Sequence, residues 1–173
     1  MHRNTYTTEG GFTLIEAIIY TALVVSLSVL LISMLSVMYR VFSESRADRD
    51  LLTSSYTAME RMTREIRTAS SVDTGTSVFG STPGTLKLNT TDSSGTSKTV
   101  QFALSSGAVA FTDNGTLSGN LTGTQVTVTS LIFRKITTTN GTAIRIEMIL
   151  SANRSPSNKT ITVYNTAALR GSY

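Results

Sequence analysis

A chain of 173 residues, 40% hydrophobic, has room for one small domain and an anchor, and hardly for two domains with cores of their own. It contains no cysteine and a single histidine, His2, which excludes disulfides and thiolate zinc sites and leaves little for imidazole chemistry. The net charge of +4 gives nucleic acid a general attraction and nothing more specific. Six arginines (Arg40, Arg46, Arg49, Arg61, Arg64 and Arg67) are interleaved with Glu44, Asp48, Asp50, Glu60 and Glu65, the pattern of a solvated, salt-bridged helix face.

Residues 1–11 are polar and lack the basic start, apolar core and small-residue cut of a conventional secretory signal, so they read as a separate leader. From Phe12 to Thr74 there is no glycine or proline. Residues 12–39 form an apolar segment expected to be a transmembrane helix: fifteen of the 27 residues from Phe12 to Met38 are Leu, Ile, Val or Phe. Together these are worth about 5 to 9 kcal/mol of insertion, against roughly 2.5 to 3.5 kcal/mol for one charged group at mid-bilayer. The segment therefore tolerates its one carboxylate, Glu16.

Residues 40–70 continue the helix in amphipathic form. Leu52, Tyr56, Met59, Met62 (or Thr63) and Ile66 recur at steps of three and four and predict the seam against a sheet. Glu60 with Arg64, and Arg61 with Glu65, are spaced for intrahelical pairs. Ser70, Ser71, Asp73 and Gly75 predict the helix end near Ala69.

Residues 71–173 hold ten of the twelve glycines and both prolines, and alternation replaces the helical period. Leu86 and Leu88, then Val100, Phe102 and Leu104, then Val109 and Phe111, predict short antiparallel strands. A further run begins at Val126 and Val128 and continues through Leu131, Ile132, Phe133 and Ile136, with a phase break near Ser130 that predicts a bulge or two elements. Asn140-Gly141 predicts a type I′ hairpin joining this run to Ala143–Leu150, in which Ile144, Ile146, Met148 and Leu150 share one face and Arg145 and Glu147 the other. A last strand is expected from Thr160 to about Asn165, leading into residues 167–170. The expected class is α+β: a long N-terminal helix, transmembrane then amphipathic, packed on a small antiparallel β-rich head.

The stretch Gly10-Gly11-Phe12-Thr13-Leu14-Ile15-Glu16 and the apolar run behind it resemble the N-terminal signal of type IV prepilins and type II secretion pseudopilins. The resemblance is tight over the first forty residues and extends to the rest in outline, where two late strands, a loop and a strand ending near an arginine resemble J-type minor pseudopilins. It implies a pilin-like fold and a cut by a prepilin peptidase between Gly11 and Phe12. It further implies N-methylation of the new Phe12 amine, and a charge pair between that amine and Glu16 of a neighbouring subunit. Partners would be the peptidase, the cytoplasmic membrane and other pilin or pseudopilin subunits. The location implied is a single pass with the head outside, then a surface or periplasmic filament. Glycine and proline are common in the helix of major pilins, so their absence here favours a minor subunit.

No catalytic, metal or cofactor constellation is found in the sequence, and no small-molecule substrate is implied. Asp73, Asp92 and Asp113 lie in turn-like segments and read as turn residues. The competing function is a membrane-anchored adhesin or DNA-binding receptor with an external β-rich head. The balance of nearby basic residues, Arg3 before the apolar run against Arg40, Arg46 and Arg49 after it, by itself assigns the head to the cytoplasm. The cleavage signal implies the opposite orientation, and the expectation follows the signal.

Overall fold

A computed structural model describes residues 11–139, 141–153 and 158–170. The chain divides into two compact units, Met1–Val41 and Phe42–Tyr173. Helix α1 (Leu14–Thr68) runs through both. The architecture is α+β: this one long helix and two antiparallel sheets.

In the first unit α1 is apolar on all sides, and its leucines, isoleucines and valines are exposed. It is long and apolar enough to cross a membrane. The serine and Thr21 hydroxyls in this segment are satisfied without any neighbour. Ser28, Ser33 and Ser36 donate to the carbonyls of Val24, Val29 and Ile32 at 2.8–2.9 Å, Ser26 donates to Leu23 O at 2.9 Å, and Thr21 donates to Ala17 O and Ile18 O. Back-bonding of this kind removes the polar hydrogen that hydrocarbon would otherwise penalise.

The second unit starts within α1 and is built around that helix's buried face. Ala47, Leu51, Ser54, Ser55, Ala58, Met59, Met62, Glu65 and Ile66 are buried. The predicted seam is correct at Met59, Met62 and Ile66 and wrong at its N-terminal end, where Leu52 and Tyr56 are exposed and Leu51, Ser55 and Ala58 take the inside. The buried positions 47, 54, 55 and 58 carry small side chains, and a hydrophobicity pattern does not register Ser or Ala as core. The helix ends at Thr68, and Ala69 N–H closes its last turn on Glu65 O at 3.0 Å.

The first sheet orders its strands β1-β2-β3-β4-β5: β1 (Ser71–Val72), β2 (Thr85–Thr91), β3 (Ser97–Ser105), β4 (Ala108–Asp113) and β5 (Thr116–Asn120). Its β3–β4 and β4–β5 hairpins close on turns whose central residues both have positive φ, Ser106-Gly107 (50° and 75°) and Asn114-Gly115 (50° and 80°), the geometry that matches the strands' right-handed twist. Register pairs Leu86 with Phe102 and Phe102 with Phe111 on the inner face. The second sheet is β6-β7-β8: β6 (Val126–Thr138), β7 (Gly141–Ala152) and β8 (Thr160–Ala168). The expected phase break is a bulge in β6 between Val128 and Ser130. The β6–β7 hairpin forms with Thr138 opposite Gly141, while Asn140, the first half of the predicted turn, lies outside the described residues. Ile144, Ile146, Met148 and Leu150 are fully buried as expected.

The two sheets and the helix share one core, in which Phe102, Phe133, Leu51, Met62, Ile66 and Leu131 are among the largest fully buried side chains. Backbone bonds also tie sheet to sheet. Gly84 N–H donates to Leu131 O at 2.8 Å, Gly80 N–H to Phe133 O at 2.9 Å, and Val128 N–H to Gly107 O at 2.7 Å.

Candidate functional site

The residues singled out in the sequence, Gly11, Phe12 and Glu16, form one short stretch at the start of α1. Thr13 is the helix N-cap: its Oγ1 accepts from Glu16 N–H at 3.4 Å, and its carbonyl accepts the first helical bond, from Ala17 N–H at 3.1 Å. Thr13 and Glu16 have the T-x-x-E spacing of a capping box, and Glu16 falls in the first turn, where the helix dipole favours a negative charge. A carboxylate in this segment is thus placed where its own helix supports it.

The Glu16 carboxylate accepts a hydrogen bond from the Tyr20 hydroxyl at 3.4 Å, one turn further on. The Tyr20 ring in turn meets the Phe12 ring edge to face, with centroids 5.9 Å apart. Phe12, Glu16 and Tyr20 therefore share one face at intervals of four residues. Sequence reasoning missed both Thr13 and Tyr20. The signals were present in the capping-box spacing and in an aromatic hydroxyl four residues after the carboxylate.

Gly11 and the largely exposed Phe12 precede the helix. A Cβ built on Gly11 meets nothing within 4 Å, and its φ lies outside the left-handed region. Among the described residues, nothing around Gly11 requires glycine there. As long as the Gly11–Phe12 peptide bond is intact, Phe12 carries an amide and not an amine, so no cation is available to Glu16 from this position.

The aspartates of the head are occupied locally. Asp73 accepts from Thr76 Oγ1 at 2.7 Å, from the Gly75 and Thr76 N–H groups, and lies 3.6 Å from Lys87 Nζ. The Thr76 hydroxyl bond above all holds its carboxyl below the ordinary aspartate value. Asp92 is lowered in the same direction, chiefly by the Thr96 N–H and with help from Ser94. Asp113 closes β4 and pairs with Lys98 at 3.3 Å. Among the described residues, no three His, Cys, Asp or Glu side chains converge as a metal site. The expected helix pairs Arg61–Glu65 (2.9 Å) and Arg64–Glu60 form. The first is less solvated than expected: Glu65 is buried, and the Arg61 guanidinium stacks 4.7 Å over the Phe111 ring.

No family model, curated protein or solved structure matches this chain.

Proposed function

We propose that the chain is a minor pilin or pseudopilin, a structural subunit of a type IV pilus-like or type II secretion filament. It is cleaved by a prepilin peptidase between Gly11 and Phe12, methylated on the new Phe12 amine, and assembled through its helix. The observation that carries this reading is the placement of an unencumbered Gly11–Phe12 bond one residue before an N-cap, directly ahead of a membrane-length helix whose first turn holds Glu16. Among the described residues nothing needs this glycine, which is what a residue selected by a processing enzyme looks like. Cleavage would create an ammonium beside the Phe12–Glu16–Tyr20 face. An ammonium and a carboxylate that are each costly in an apolar bundle become tolerable as a pair between subunits.

In this reading the subunit first sits in the cytoplasmic membrane with its β-rich head outside, and then enters the filament without itself catalysing a reaction. Mass spectrometry of the membrane-extracted protein tests it. The expected mature N terminus is N-methyl-Phe12 in cells with the peptidase, and a chain still carrying Gly11 in cells lacking it. A mature N terminus at any other residue sinks the proposal.

A further inference from the structure

The second unit leaves one apolar helix stripe and one strand edge uncovered, and the two are neighbours. Leu52 and Tyr56 are 62% and 71% exposed one turn apart on α1, the pair whose spacing had predicted a buried seam. Between them and Val163 of β8 runs a groove of about 570 Å³, with Met59 of the helix also in its lining. The helix therefore carries apolar surface beyond the last strand of the three-stranded sheet.

The backbone of β8 supplies the other half. Ala152 N–H donates to Lys159 O at 2.8 Å and Leu169 N–H to Thr142 O at 2.9 Å, which fixes the parity of the ladder. Residues 161, 163, 165 and 167 exchange bonds with β7, and Thr160, Thr162, Tyr164, Thr166 and Ala168 direct their N–H and C=O groups away from the sheet. Of these donors, Thr166 N–H is met by Asn165 Oδ1 at 2.8 Å.

The other edges are protected. The outer side of β6 is bonded between Val128 and Phe133 by Gly80, Thr82, Gly84 and Gly107, and its continuation carries the charged Arg134 and Lys135. β1 has two residues, and the pairing of β5 is broken by a register shift between Phe111 and Thr112. Among the described edges, β8 is the one that runs nine residues without a bulge, a proline or a charged side chain. Those are the devices by which proteins discourage strand addition.

We infer that β8 and this groove receive an extended segment of another protein, added as a fourth strand. Its apolar side chains would cover Leu52 and Tyr56, and its other side chains would be carboxylates. The rim sets the charge. Arg145 stacks 5.4 Å over Tyr164 on the face those carboxylates would share, beside Arg134, while Arg64 and Arg67, on the helix side, add positive charge at the end of the groove near Asn165. Glu60 and Glu147, each already paired with arginine, offset two of these four cations. A second copy of this chain is disfavoured, because β8 brings no carboxylate and would set the same arginines against each other.

The test uses the full chain in detergent micelles with two synthetic probes, acetyl-(Val-Glu)5-amide and acetyl-(Val-Lys)5-amide, followed by residue-resolved amide hydrogen exchange. The glutamate peptide should slow exchange at Thr160, Thr162, Tyr164 and Ala168 by about tenfold or more, and the lysine peptide should not. Thr162→Pro removes an outward N–H that the fold does not use, and should abolish the protection while leaving the far-UV circular dichroism unchanged. Tyr56→Asp, at an exposed position, should weaken it independently. Equal protection by both peptides, or by neither, overturns the inference. Protection that rises with protein concentration in the absence of peptide also overturns it, by assigning the edge to a second copy. None of these outcomes depends on processing at Phe12, so failure here leaves the reading of the N-terminal stretch untouched.

Discussion

Gly84 shows how much one absent methyl group can hold in place. A Cβ at this position would lie 2.6 Å from the Leu131 carbonyl oxygen and 3.2 Å from the Phe133 ring. The blocking atom is backbone, already engaged by Gly84 N–H, and cannot swing aside. Gly84→Ala should therefore destabilise the second unit by about 1–3 kcal/mol, as overpacking does. A urea midpoint indistinguishable from the parent's would show that the two sheets part more easily than their bonding suggests. Nothing in the sequence marks Gly84 apart from Gly80 or Gly95, because its constraint comes from a strand more than forty residues away. The two turn aspartates act through protons. Asp73 and Asp92 have folded pKa values below the ordinary aspartate value of about 3.9, so the unfolded chain binds more protons than the folded one in acid. Their stabilisation is present above that value and is lost as pH falls through the lower folded value. The double variant Asp73→Asn, Asp92→Asn should flatten the fall in stability between neutral pH and pH ~3, read from urea titrations at the two ends. An unchanged slope would assign acid sensitivity to other carboxylates.

Elements were legible where period and chemistry agreed. The alternation at Val100 and Phe102, at Val109 and Phe111, and at Ile144 to Leu150 predicted strands that exist with those faces inward. The break near Ser130 predicted the β6 bulge. β5 was missed because Thr116–Asn120 is exposed throughout and has Leu117 as its one large apolar residue. Its signal lay in Asn114-Gly115, a turn as well formed as any hairpin in the molecule. The helix seam was half legible, since Leu52 and Tyr56 fit the period but lie one position off the buried face. The two halves of that stripe should respond differently to truncation. Met62→Ala, in the sealed core, should cost about 2–5 kcal/mol. Tyr56→Ala should change the stability of the isolated protein by no more than about 0.5 kcal/mol. Comparable losses in urea denaturation would mean that Tyr56 is covered in solution.

At the scale of the whole molecule, the class was readable from a single change in composition at Gly75, where a chain without helix breakers becomes one rich in glycine, threonine and serine. How the eight strands among the described residues divide into two sheets was not readable. The division depends on backbone bonds such as Val128 to Gly107 and Gly84 to Leu131, which leave no trace in local pattern. The proposed N-terminal site was legible as a motif, and the spacing of Thr13 and Tyr20 was there to be read, but their bonds, one with the Glu16 N–H and one to its carboxylate, exist only once the helix sets them one turn to either side of Glu16.

The hydroxyls of the apolar segment carry a last consequence. Ser26, Ser28, Ser33 and Ser36 all bond to carbonyls of their own helix. They ask nothing of whatever surrounds them, whether acyl chains or another polypeptide. Moving this segment from one apolar environment to the other breaks no hydrogen bond and forms none at these positions. At these positions the segment behaves as though it were indifferent to its medium.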